Sequence, residues 1–159
     1  MIGLTILAAA TIAGAWQDVS KVDPITDVKR GIVFVDSAPD SPVKGSIILK
    51  CDILAKGPSQ VYASIVSAKY LGRSDYYGRT AIWRIDDAKP VSESWSYDAE
   101  TFSNMKPASF VTALAGGKRM VVRATTYESQ NVDMAFDVEG AAEAIKLVYA
   151  TCGDKSPIP

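Results

Sequence analysis

The chain has 159 residues, 48% hydrophobic and 22% charged, with a formal net charge of −1. That length suits one domain able to bury roughly two-thirds of its unfolded surface, and the composition excludes a disordered polymer. Acidic and basic residues are interspersed with no basic stripe or arm, which argues against nucleic acid or an anionic membrane surface as partner.

Met1 to Ala15 carry no charge. Ile2, Leu4, Ile6, Leu7 and Ile12 lie among small residues, and the stretch closes on Ala13-Gly14-Ala15 before Trp16. This is the apolar core and A-x-A site of a secretory signal peptide, shorter than the ~20 residues a membrane-spanning helix needs. No Lys or Arg precedes the core, and the competing reading is a buried N-terminal helix. The expectation is a leader over 1–15, a single domain over 16–159 and a periplasmic or secreted location.

Residues 16–30 form a polar entry segment containing Asp23-Pro24. Gly31–Ser37 is a short apolar strand, closed by the turn Ala38-Pro39-Asp40-Ser41-Pro42. Strands follow at Ser46–Leu54 and Gln60–Tyr70, joined by a hairpin connection over 55–59. Leu71–Arg79 reads as a loop. Thr80–Asp86 and Val91–Tyr97 are strands, the first with one wet face. Pro107 opens a helix to Ala115, which Gly116-Gly117 ends. Arg119–Tyr127 and Val132–Val138 are strands, Ala141–Thr151 is the last helix, and the tail from Gly153 is expected to fray. The fold class is α+β, mostly antiparallel: a sandwich-like sheet with two short helices and one disulfide.

Two cysteines in an exported chain favour a bridge. Alternation puts Ile47, Leu49, Cys51 and Ile53 on one strand face, and Ala141, Ile145, Val148 and Cys152 share one helical face. Both sulfurs then point inward. The alternative is a pair of free buried thiols in a cytosolic protein.

The sequence has no histidine, which removes His-dependent triads, Cys–His pairs and His-ligated zinc. Gly116-Gly117-Lys118 lacks the spacing of a phosphate loop and follows a helix. No cofactor or metal is expected. The remaining chemistry is a run of carboxylates, Asp86, Asp87, Glu93, Asp98 and Glu100, near Trp83, Trp95 and Tyr97. A carboxylate pair beside stacking aromatics could serve a glycosidase; the favoured reading is solvated groups flanking core tryptophans, and the chain is expected not to be an enzyme. Arg84, Asp86 and Arg123 are expected to form a cross-strand ionic group on an exposed sheet face. Tyr62, Tyr70, Tyr76 and Tyr77 are candidate interface aromatics. The interaction surface is assigned to Arg84, Asp86, Arg123, Tyr76 and Tyr77.

A family likeness rests on several short motifs: Pro24-Ile25-Thr26-Asp27, Ile48-Leu49-Lys50-Cys51, Ile82-Trp83-Arg84-Ile85-Asp86, Trp95-Ser96-Tyr97-Asp98, Met120-Val121-Val122-Arg123, and Phe136-Asp137-Val138-Glu139-Gly140 ahead of Ala144-Ile145 and Cys152. In these the chain resembles the type VI secretion-associated VasI-like proteins and their prophage relatives, over nearly the whole mature length. The resemblance implies a small exported β-rich domain with one cysteine in an early strand and one near the end. It supplies no activity. The function expected is a non-enzymatic exported accessory or binding protein, partnered by another envelope or phage protein. A phage-encoded envelope factor, blocking superinfection or inhibiting a cell-wall enzyme, is the alternative.

Overall fold

A computed structural model of the chain describes residues 10–11, 14–52 and 59–159. The expected leader lies mostly outside these residues, as do the end of the Ser46–Leu54 strand and nearly all of its hairpin connection. In chain order the elements are β1 (Ala10–Thr11), β2 (Gln17–Asp18), β3 (Lys21–Val22), β4 (Lys29–Arg30), β5 (Ile32–Asp36), β6 (Gly45–Asp52), β7 (Gln60–Ser67), β8 (Arg79–Ile85), β9 (Val91–Asp98), β10 (Thr101–Asn104), α1 (Ala108–Ala115), β11 (Arg119–Thr125), β12 (Asn131–Asp137) and α2 (Ala141–Cys152).

The fold is mostly antiparallel β with two helices and one disulfide. β3 and β4 pair with each other, while the other strands run in the order β1-β2-β5-β6-β7-β10-β9-β8-β11-β12. β9 is the hinge of this sheet: Val91–Trp95 pair with β8, whereas Ser96–Asp98 pair with β10. A strand that changes partner midway turns a corner, so the sheet bends into two halves. The 38–43 loop laces its far ends together. Ala38 and Val43 donate backbone N–H to Ala135 and Asp133, and the Ala135 N–H reaches Ser41 Oγ.

Alternation explains which residues enter the core. Val33 and Val35, Ile47, Leu49 and Cys51, Val61, Ala63 and Ile65 face inward from β5, β6 and β7. Met120, Val122 and Ala124 with Val132, Met134 and Phe136 do so from β11 and β12. The helices close this interior through Phe110, Val111 and Leu114 of α1 and Ile145, Val148 and Tyr149 of α2.

The bridge joins Cys51 of β6 to Cys152 at the end of α2, across 101 residues of sequence. It draws α2 so close to the strand start that Gly31 touches the bridge: a Cβ there would sit 2.7 Å from Cys152 Sγ and 3.2 Å from Val148 Cγ2. Only glycine leaves that room.

Three expectations need correction. The entry segment is not featureless, since β2 extends the sheet and β3–β4 form a small hairpin closed by Asp23 and Val28. β10 is an additional strand behind the two-residue turn Ala99-Glu100, with Ala99 at φ +57°. The tail does not fray: Asp154 Oδ2 accepts the Val61 N–H at 2.9 Å, and Ile158 packs against the core.

Trp16 is fully buried, its indole N–H donating to the Val138 carbonyl at 3.2 Å. Gly14 and Ala15 before it form an exposed turn between β1 and β2. Among the described residues no helix is long and apolar enough to cross a membrane.

Candidate functional site

The carboxylates from Asp86 to Glu100 go to separate places. Glu93 shares the inward-facing side of β9 with Trp95 and Tyr97 and ends at the rim where α1 begins. Its Oε2 accepts the indole N–H groups of Trp95 at 3.0 Å and Trp83 at 3.2 Å, and the Asn104 amide at 3.4 Å. Its Oε1 accepts Ser109 Oγ from the first turn of α1 at 2.7 Å. Partial burial pushes this carboxyl's pKa up, but donors Ser109, Trp95, Trp83 and Asn104 outweigh burial and hold it below the usual glutamate value. A carboxylate so saturated is an anchor and is poorly suited to give or take a proton. Above it, Phe110 meets both indoles edge-on, at 5.6 Å from Trp83 and 5.1 Å from Trp95.

Asp86 does not join Arg84 and Arg123 in an ionic group. It adopts φ +46° at the end of β8, and its carboxylate accepts the backbone N–H groups of Arg119, at 2.8 Å, and Lys118. Arg123 instead faces Asp133 across the β11–β12 ladder, bound through two 2.7 Å contacts. Arg84 and Arg123 share the exposed face that alternation predicts, but the partner of Arg123 is Asp133 in place of Asp86. Arg119 bridges Asp137 and Asp40, so these arginines are neutralised locally. Among the described residues Arg84 has no ion pair. With Ile82, Pro90, Val121 and Arg123 it borders a shallow depression of about 270 Å³. Asp98 pairs with Arg73 at 2.7 Å, where both side chains are largely exposed.

The tyrosines divide. Tyr62 is half-buried beneath Lys50 Nζ, 5.2 Å from its ring centre. Tyr70 meets Tyr127 edge-on at 5.8 Å. Tyr76 and Tyr77 are 96% and 82% exposed, their rings 5.6 Å apart and nearly perpendicular.

The loop carrying them is firmly built. Asp75 Oδ1 accepts the Tyr77 N–H at 3.0 Å, the Gly78 N–H returns to the Asp75 carbonyl, and Ser94 Oγ donates to the Tyr77 carbonyl. Gly78 sits at φ +74°, and a Cβ there would lie 2.4 Å from the Trp95 carbonyl oxygen. The turn therefore lies directly against β9. Its aromatic pair forms one wall of an open groove of about 570 Å³, with Met105 and Lys106 on the other side and Ser94, Ser96 and Ser103 as its floor.

The sequence reading found Tyr76 and Tyr77 but missed this floor. The signal was present: Ser92, Ser94 and Ser96 alternate with Glu93, Trp95 and Tyr97, which leaves hydroxyls on the outer face of β9.

No family model matches the chain, and no curated protein matches it significantly. Among solved structures it is similar to invasion associated protein B from Bartonella henselae. The TM-score is 0.58 at 13% identity, over 90% of this chain and 96% of that one. This likeness is one of fold.

Proposed function

We propose that the chain is an exported, non-enzymatic accessory protein of the bacterial envelope that acts by binding through its surface. The observation that carries this reading is the buried bridge between Cys51 and Cys152, with relative exposures of 1% and 5%. A bridge of this kind persists in oxidising compartments and is rare where glutathione keeps thiols reduced. The uncharged Met1–Ala15 stretch and the exposed turn at Gly14-Ala15, just ahead of buried Trp16, support cleavage at that point.

Surface binding is supported by how the acidic groups are used. Glu93 and Asp86 are committed to indole and backbone N–H groups, which leaves neither as an acid–base catalyst. Tyr76 and Tyr77 stand free on a firm turn and are the best-presented contact residues. The two halves of the bent sheet give the domain a sandwich-like character, with this turn on its outside. A setting in type VI secretion is what the VasI-like resemblance implies.

The test is the intact mass of the protein recovered from the periplasm of its native host. A chain beginning at Trp16 is expected. Full-length protein retaining Met1 and confined to the cytoplasm would overturn the export reading.

A further inference from the structure

We infer that the groove between Tyr76–Tyr77 and Met105–Lys106 is a binding site for a neutral oligosaccharide. This rests on the reading of the chain as a surface-binding protein and names the ligand of that surface.

The first support is the exposure of the two rings. A chain gains by burying aromatic surface, yet Tyr76 and Tyr77 stay 96% and 82% exposed on a turn held by Asp75, Gly78 and Ser94. Those contacts fix the backbone of the turn that carries the rings. The negative face of an aromatic ring attracts the polarised C–H groups of a pyranose.

The floor gives the second support. Ser94, Ser96 and Ser103 are small where strand residues are usually bulky, and their size is what opens the groove. Ser103 shares a 2.8 Å hydrogen bond with Ser64, and Ser94 donates to Tyr77, so both present an oxygen that can still accept. The Ser96 hydroxyl has no hydrogen-bond partner among the described residues, although its backbone pairs with Ser103. A floor of hydroxyls beside aromatic walls matches a ligand whose edges are hydroxyls and whose faces are C–H.

Composition weighs against other occupants. A protein hot spot needs an apolar, desolvated centre, and the centre here is serine. A phosphate-rich or anionic ligand needs converging cations, and the groove wall holds one, Lys106. Among the described residues no carboxylate lines the groove.

The experiment is calorimetric titration of purified, disulfide-intact protein with chitotetraose, cellotetraose and maltotetraose. Saturable binding of at least one is expected, weakened about tenfold or more in Y76A/Y77A, as for loss of an aromatic anchor. Ser96→Trp, which fills the groove from an exposed strand position, is expected to abolish binding with the melting temperature kept. K89A, at an exposed position in the β8–β9 turn outside the groove, is expected to bind as the parent does. Absence of binding to all three sugars overturns the inference, as does binding that survives both groove variants, or a groove that engages only a protein. Because the titration uses purified protein, its outcome is independent of cellular location: a cytoplasmic chain that binds sugar would sink export alone.

Discussion

A partly buried carboxylate that collects two indole N–H groups, an amide and a hydroxyl contributes chiefly by what its loss would strand. Removing the acceptor leaves the Trp83 and Trp95 N–H groups without a partner, at about 1–3 kcal/mol for each desolvated group. Glu93→Ala is therefore expected to destabilise by about 2–4 kcal/mol in urea unfolding, with a red shift in tryptophan emission. Glu93→Gln keeps the shape and loses the charge, so a smaller cost of about 1 kcal/mol is expected.

The pH dependence has a definite sign. The folded pKa of Glu93 is depressed, so its contribution is present above the unfolded value and disappears as pH falls through the folded one. Parent stability should thus fall on acidification more steeply than that of Glu93→Gln, as thermal melts at a series of acidic pH values would show. An equal slope for both proteins would contradict the assigned role.

Sequence alone could not place Glu93. Its donors arrive from β8, β9, β10 and α1, and nothing local shows that they converge. The cysteines lay at the other extreme. Strand alternation at Cys51 and helical spacing at Cys152 each fix an inward direction from neighbours within one or two turns. Asp86 was assigned to the correct strand end, but a positive φ re-aimed its carboxylate toward backbone donors.

At the level of elements, the long periodic segments were legible and the short ones were not. β12 and α2 each repeat an apolar pattern over several periods, so packing and periodicity agree. β10 has four residues with one large apolar side chain, Phe102, and follows a turn lacking the glycine or asparagine that marks tight hairpins. The tail was misjudged for a different reason: prolines suggested a loose end, whereas the ordering comes from long-range partners. Asp154 joins the tail to β7, and Ile158 covers core.

Deleting residues 154–159 removes the acceptor of the Val61 N–H together with that cover. A loss of about 1–3 kcal/mol is expected from the hydrogen bond and apolar burial combined, measured by urea unfolding of the truncated chain. Unchanged stability would return the tail to the status of a loose end.

At the scale of the whole molecule, one antiparallel sheet bends at β9 and its ends are laced by the 38–43 loop, leaving an interior that two helices close. The bridge fastens the later of those helices to β6, on the opposite side of the chain's sequence. Closing a loop of this length stabilises by roughly 4–5 kcal/mol in the chain-entropy estimate. Class and bridge could be read ahead of the structure because both depend on alternation and compartment. The bend and the lacing loop could not, because they depend on which strands become neighbours.

An exported working location requires that bridge to exist where the protein works. The direct measurement is alkylation of thiols in intact native cells, followed by reduction, a second isotopically distinct alkylation and peptide mass analysis. Cys51 and Cys152 are expected to carry only the second label. Folded protein with both cysteines carrying the first label would contradict export, because the terminal helix would then be held without a covalent tie in a reducing compartment.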